Sequence, residues 1–316
     1  MDQSRAAPAL AVEIAGVRFP SPVLAAPGPL GFGREVQGVV NLRAYGGFIT
    51  KSVTVEPREG NPPPHLARTE AGWLNSLGLP NKGLGAFLTR DLPFLATLGI
   101  PIVVSAAGDS ADEFVTLVEW LAREPAVAAI ELNLSCPNVA GGQHFAVDPA
   151  ATRALLARLR PLTDKPLFAK LSPNVTDIVA IARAAQDGGA DALTLINTLS
   201  GMAIDVETRR PRLGAVTGGL SGPAIRPVAV RMVYEVARAV PLPIIGVGGV
   251  AAAADALEFI IAGARAVAIA AAAIDRPTVA EEVTAGIADY LRRHGYASVT
   301  ALVGTLDLPA FPPRPA

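Results

Sequence analysis

Polar side chains capable of chemistry fall where runs of apolar residues stop. Lys51 follows GGFIT, Ser105 ends PIVVS, Asn133 lies in AIELNL, Lys170 lies in PLFAKL and Asn197 follows DALTLI. Ser135 and Cys136 come just after Asn133 in the segment Asn-Leu-Ser-Cys-Pro-Asn, and Gly248-Gly249 follow LPIIGV. If the apolar runs are neighbouring parallel strands, all of these groups project into one mouth. Burying two lysines and two carboxamides without partners costs kilocalories, so a bound polar ligand is the simplest account of them. Ammonium groups stabilise negative charge in a dry site. A thiol with the ordinary pKa of ~8.5 is already a few per cent thiolate at neutral pH and can act as a base. Gly248-Gly249 lets backbone N–H groups converge on an anion, although an ordinary tight turn also favours glycine. Cys136 has a plainer alternative too, since free cysteine is commonly a small buried hydrophobe. Its polar, Pro-interrupted surroundings argue for a loop instead.

The elements that must position these groups alternate short β-rich runs with longer amphipathic ones, the pattern of βα units and a parallel sheet. After a hairpin over residues 9–20, strands are expected at 23–26, 46–50, 101–105, 129–134, 166–171, 191–196, 242–247 and 265–270. Their near-continuous Val, Ile, Leu and Ala content fits strands covered on both faces. Helical patterns run from Asp112 to Arg123 and from Asp148 to Leu159, each opening near an acidic residue suited to a helix N-terminus. Another opens within Pro173-Asn174-Val175-Thr176-Asp177, with Asn174 or Thr176 as cap, and closes at Gly188-Gly189. Eight strands and about as many helices predict a single (β/α)8 barrel, here one domain over residues 1–316. A doubly wound sheet is the alternative, but Gly28-Pro29-Leu30-Gly31-Phe32-Gly33 has the wrong spacing and an internal proline for its fingerprint. Two long connections, 51–82 and 197–223, lie at the C-terminal face, where barrel enzymes place their chemistry. Within them, Arg209-Arg210-Pro211-Arg212 reads as a solvated loop. Asn61-Pro62-Pro63-Pro64 reads as a stiff spacer holding Leu74–Leu79 over the mouth, and Trp73 as either a recognition aromatic or a packed anchor.

Composition narrows the function classes. Of 316 residues, 51% are apolar and 17% charged, with 27 basic against 28 acidic groups and a net charge of −1. That excludes disorder, and it leaves no cationic field for nucleic acid or a membrane surface. One cysteine excludes a disulfide framework or a cysteine-ligated cluster within the chain, and His65, His144 and His294 share no metal-ligand spacing, so no metal is expected. The opening MDQSRAAPALAVEIAG lacks an apolar signal region. The greasiest stretch, Ile244 to Ile274, is broken by Asp255, Glu258 and Arg265, short of a ~20-residue span. A cytoplasmic location is expected.

The segments TKSVTVEPREGNPPPH, WLNSLGLPNKG, IELNLSCPNV, KLSPNVTDI, INTLSGMAID, TRRP, GGLSGPAI and IIGVGG resemble the dihydroorotate dehydrogenase family. The likeness runs in consistent order from about residue 12 to 275 and is greatest to the class 1B catalytic subunits, which are FMN barrels. A cysteine at 136 rather than serine, and no N-terminal membrane segment, favour class 1 over class 2. The resemblance implies oxidation of dihydroorotate to orotate in de novo pyrimidine (UMP) synthesis. Cys136 would remove the C5 proton while hydride passes from C6 to FMN. Lys51 would touch both flavin and substrate, and Lys170 would stabilise negative charge on reduced flavin. Asn75, Asn133, Asn197 and Thr198, with the segment Ser76, Leu77, Gly78 and Leu79, would bind the pyrimidine and its carboxylate. Pro27, Ser52, Ser105, Ile196, Gly222, Gly248, Gly249, Ala270 and Ala271, together with Lys51, Asn133 and Lys170, would line the flavin.

Three positions depart from the family pattern. Ala26-Pro27-Gly28 stands for Ala-Ser-Gly, Ser105 for an asparagine, and Ala270-Ala271 for Gly-Thr. The resemblance also implies a homodimer core and a separate subunit carrying FAD and a 2Fe–2S cluster that passes electrons to NAD, since this chain has neither the cysteines nor the dinucleotide fingerprint. Other readings are a flavin enzyme acting on related dihydropyrimidines, an aldolase-type barrel with Lys170 as Schiff base, and a non-catalytic paralogue that binds flavin or pyrimidine.

Overall fold

The computed structural model describes residues 9–135 and 145–309. Eight parallel strands close into a barrel in chain order: Val23–Ala25, Gly47–Ile49, Ile102–Ala106, Val127–Asn133, Leu167–Leu171, Ala192–Leu195, Ile244–Val247 and Ala266–Ile269. Every strand expected from the sequence is a barrel strand. Closure is made between the last and the first, where Val267 pairs with Val23 and Ile269 with Ala25. Apart from Ser105, Glu131, Asn133, Lys170 and Thr194, the strand residues are apolar, because side chains facing inward fill the barrel and those facing outward meet helices. Val23, Phe48, Val103, Ile130, Phe168, Leu193, Ile245 and Val267 are all fully buried or nearly so.

The hairpin Val12–Ile14 and Val17–Phe19 pairs antiparallel. It places Phe19 so close to Gly47 that a Cβ there would lie 2.6 Å from the Phe19 ring. Gly47 begins the second strand, so the hairpin stops the N-terminal end of the barrel and leaves its opposite end open.

Helices cover the strands. Ala111–Ala122 turns Phe114, Leu117, Val118 and Leu121 inward, and Ile178–Asp187 does the same with Ile178, Ile181, Ala182 and Ala185. The crossover between the first two strands differs: it holds two short 3-10 turns, Arg34–Val36 and Leu42–Ala44, and no α-helix. Gly28, Gly31, Gly33 and Gly38 all take positive φ there, a conformation that breaks α-helix continuity. Asp112 lies in the first turn of its helix and Asp148 caps its own, as expected, while other caps add to or correct the sequence reading. The side chain of Ser110 caps the helix before Asp112. The cap of the fifth-crossover helix is Asp177, whose carboxylate accepts from the N–H groups of Val179 and Ala180. Asn174 instead reaches the sixth strand end, donating to Thr198 O and accepting from Ser200 N. The left-handed turn after that helix is taken by Gly189 at φ 96°, while Gly188 stays right-handed.

The two long connections do not remain loops. Leu66–Thr69 and Gly72–Asn75 come from one, Leu199–Met202 and Thr217–Ser221 from the other, and the four form one antiparallel sheet. The junction pairs Asn75 with Gly219 and Trp73 with Ser221. Arg209 to Arg212 are exposed, beside a small pairing of Asp205 with Arg210. No helix among the described residues is long and apolar enough to cross a membrane.

Replacing Asp177 with alanine removes two hydrogen bonds to otherwise orphaned helix N–H groups. Chemical denaturation is expected to show a loss of about 1 kcal/mol, whereas Thr176→Ala, at one of the two positions the sequence offers as cap, is expected to change stability by less than half of that.

Candidate active site

Four strand ends are joined by one line of hydrogen bonds. Ser105 Oγ, at the third strand, lies 3.2 Å from Ser52 Oγ. Ser52 accepts from Asn133 Nδ2 at 3.1 Å, and Asn133 Oδ1 accepts from Asn197 Nδ2 at 3.2 Å. Asn197 Oδ1 in turn accepts from the N–H of Thr198 at 2.8 Å. Barrel geometry explains the convergence, because residues at the C-terminal ends of neighbouring parallel strands face a common mouth. Asn133 pairs in register with Lys170, and Lys170 with Thr194, which carries the same inward face across three strands.

The two lysines differ. Lys170 is buried and makes no ion pair or hydrogen bond among the described residues. Lys51 is half-buried, and burial pushes its amine below the usual lysine range, with the Glu35 carboxylate opposing that shift. Loss of hydration disfavours the ammonium, and an anionic ligand beside it would restore it.

The segment 75–79 is braced from below. Asn75 Nδ2 donates to Gly219 O, Ser76 N donates to His65 O, and Leu77 O accepts from Asn61 N. Asn61 Nδ2 also donates to Ser76 Oγ. Leu79 takes φ 55°, a strained position for leucine, beside Gly78 at φ 72°. Asn81 holds that turn: its Nδ2 donates to Leu79 O and Thr54 Oγ1, and its Oδ1 accepts from Gly83 N. Sequence reading passed over Asn81, although a carboxamide next to Leu-Pro in a long ordered loop was the available signal.

A single cavity collects the remaining positions. Pro27, Lys170, Ile196, Asn197, Thr198, Gly222, Gly248, Gly249, Ala270 and Ala271 all line it, with Trp73 on the sheet side. Lys51, Ser52, Ser105, Asn133 and the 76–79 segment lie outside that lining, and the polar line connects the middle three to it through Asn197. At one end the backbone N–H groups of Gly222, Gly248, Gly249, Ala270 and Ala271 meet no acceptor among the described residues. Gly222 and Gly248 are buried, where N–H groups are rarely left so, and several unpaired N–H groups that converge can bind an anion. Gly222 (φ 99°) and Gly249 (φ 77°) are needed for its shape, since a Cβ on Gly249 would lie 2.7 Å from Gly222 O. Arg68, Asp275 and Arg276 also line the cavity, and sequence reading missed them. Arg68 stacks over Trp73 and pairs with Asp275 at 3.2 Å, joining the small sheet to the chain after the eighth strand. Cys136 lies outside the described residues; Ser135, just before it, has a buried hydroxyl without a partner among them. No group of three His, Cys, Asp or Glu residues among the described residues is placed to hold a metal ion.

Residues 9–291 match the family model described as dihydroorotate dehydrogenase. The chain belongs to that family. Among its relatives is a protein of Desulforudis audaxviator, 52% identical over 295 residues, covering 93% of this chain and 96% of the relative. Another, from Pelobacter propionicus, is 48% identical over 301 residues, covering 95% and 99%. A third, from Geotalea daltonii, is 48% identical over 304 residues, covering 96% and 100%. Each is named as the catalytic subunit of dihydroorotate dehydrogenase B (NAD(+)). The family match thus spans the barrel, the polar line and the small sheet together.

Asn81→Ala should leave Gly83 N and Thr54 without their shared partner and release the Gly78-Leu79 turn. The expected loss is roughly 1–3 kcal/mol, read by urea denaturation, together with new proteolytic cleavage between residues 75 and 83. An unchanged cleavage pattern would mean that the turn is held by other contacts.

Proposed function

We propose that this protein is the catalytic subunit of an NAD-linked dihydroorotate dehydrogenase. As one catalytic domain it oxidises dihydroorotate to orotate in de novo pyrimidine synthesis, with FMN as its cofactor. The reading is supported by the family membership and by the name its full-length relatives share. The observation that carries it to a mechanism is the continuity between the Asn133–Asn197–Thr198 line and a cavity that ends in unused backbone donors. For a flat heterocycle bearing a phosphate chain, the unused N–H groups of Gly222, Gly248, Gly249, Ala270 and Ala271 would hold the anion, and Lys170 would offer its ammonium to the ring.

FMN, when bound, supplies a two-electron acceptor for the hydride leaving C6 of the substrate. Cys136 removes the C5 proton as base, so that the C5–C6 bond becomes a double bond. A positioned base contributes roughly 10²–10⁴ in rate. Asn75, Asn133 and Asn197, with Thr198 and the backbone of Ser76 to Leu79, hold the pyrimidine and its carboxylate. The carboxylate also supplies the negative charge that favours the ammonium form of Lys51. Lys170 offers a buried positive charge where negative charge develops on the reduced cofactor. Pro27, Ser52, Ser105 and Ile196 would shape the flavin side, and Gly222, Gly248, Gly249, Ala270 and Ala271 would hold the phosphate. Electrons leave through a separate subunit with FAD and a 2Fe–2S cluster, around a homodimer of this chain, in the cytoplasm.

Rapid mixing of the flavin-loaded protein with dihydroorotate tests the reading. Bleaching of the flavin absorbance is expected with dihydroorotate and not with dihydrouracil, and Cys136→Ala should slow it by at least roughly 100-fold. Bleaching by dihydrouracil alone would move the substrate to another dihydropyrimidine. A protein that takes up no flavin on reconstitution would overturn the cofactor assignment.

A further inference from the structure

The described residues bury four charged side chains: Asp91, Glu131, Lys170 and Asp255. Asp91 is paired with Arg34 and Arg90, and Asp255 with Arg226. The remaining two have opposite charge and no ion pair within 4 Å, and neither oxygen of Glu131 has a hydrogen-bond partner. A fully buried carboxylate left this way is rare, because burial of an unpaired charge is costly.

Topology brings the two together. Asn133 faces the mouth, where it bonds Ser52 and Asn197, and strand alternation turns Glu131 to the same inner face. Glu131 pairs in register with Phe168, two residues before Lys170 on the adjoining strand. Lys170 faces inward as well, since it lines the cavity. Two long side chains thus leave diagonal positions on neighbouring strands and enter one space. Thr194, in register with Lys170 on its other side, adds a buried hydroxyl that also lacks a partner. Glu131 and Thr194, both buried without a partner, thus share an inner barrel face with Lys170, and bound water links polar groups of such complementary character that are too far apart for direct contact.

We infer that Glu131 is the counter-charge of Lys170, joined to it and to Thr194 through buried water. It is a positioning residue. It holds the ammonium in place beneath the cavity and reduces the net positive charge that Lys170 presents there. The part of this inference that concerns a bound flavin rests on the function proposed above, while the charge pairing itself does not.

The pairing is tested on the apoprotein by a double-mutant cycle of Glu131→Gln, Lys170→Met and the two combined, followed by urea denaturation. Each single change leaves an uncompensated group, and the double change is expected to recover at least tenfold in the unfolding equilibrium constant over the sum of the singles. Glu131→Met replaces Glu131→Gln in the cycle if the latter does not accumulate. In the flavin-loaded protein at pH 6, Glu131→Gln should favour reduced over oxidised flavin by about tenfold, an upward shift of ~30 mV for a two-electron couple. Additive single effects in the cycle, or a midpoint potential unmoved by Glu131→Gln, would overturn the inference. Failure to load flavin would count against the proposed cofactor alone, since the cycle needs none.

Discussion

Two carboxamides at the barrel mouth have their orientations set by each other. Asn133 gives an N–H to Ser52, which leaves its carbonyl oxygen toward Asn197. Asn197 gives an N–H to that oxygen and presents its own to the N–H of Thr198. Turning Asn197 over would place acceptor against acceptor at Asn133 and donor against donor at Thr198, and turning Asn133 over would set its N–H groups against those of Asn197. Each broken bond costs about 1 kcal/mol net, and more where the freed atom stays buried. The line therefore fixes two amide faces before any ligand arrives, and each amide nitrogen retains a second N–H to offer. Preorganised dipoles of this kind need no rearrangement during a reaction, which is why they are effective in enzyme sites. The line also gives Ser105, near the end of the third strand, a role: its hydroxyl secures Ser52, the acceptor on which the sequence of bonds begins.

The small antiparallel sheet solves a different problem. Long connections at a barrel mouth carry many backbone polar groups that water must otherwise satisfy. Pairing Gly72–Asn75 with Thr217–Ser221 satisfies them internally and makes one surface from segments far apart in sequence. The surface is brought close to the mouth by glycine. A Cβ on Gly219 would lie 2.0 Å from Thr198 Oγ1, and one on Gly218 would lie 2.5 Å from Asn75 O. The pairing of Arg68 with Asp275 then ties the same sheet to the other side of the cavity. Since both side chains are well exposed, that tie contributes little stability by itself; its role is to define the edge of the opening.

Much of this was legible in the sequence, and the parts that were not share a cause. Strands such as Ile244–Val247 and Leu167–Leu171 are short, apolar and bounded by Pro or Gly, so local composition identifies them. Polar residues at their ends stand out for the same reason. The pairing of Trp73 with Ser221 depends on contacts across nearly half the chain, and no local pattern in Gly- and Arg-rich loops encodes it. Arg68 was invisible as a cavity residue until that sheet placed it. The cap at Asp177 was misassigned because Asn174 and Thr176 are equally good local caps, and tertiary contacts of Asn174 with Thr198 and Ser200 decided between them. Glu131 had a signal that went unused: it is an acidic residue within the apolar run AIELNL.

Where the cavity lining departs from the family pattern, the groups it presents are those of the backbone. Ala270 and Ala271 lack the hydroxyl of a Gly-Thr pair, yet their N–H groups stay free at the same end as those of Gly222, Gly248 and Gly249. An anion held by such groups feels the direction of the peptide dipoles, which substitution of a side chain leaves in place. Steric demand falls instead on the glycines. Gly222 approaches Gly72 so closely that a Cβ would lie 2.7 Å from its Cα, and Gly249 is equally close to Gly222 O. Neither Ala270 nor Ala271 carries the positive φ that Gly248 and Gly249 do. The strict requirement at this end of the cavity is therefore conformational, and it lies at the seventh strand end and in the Gly222 turn rather than after the eighth strand.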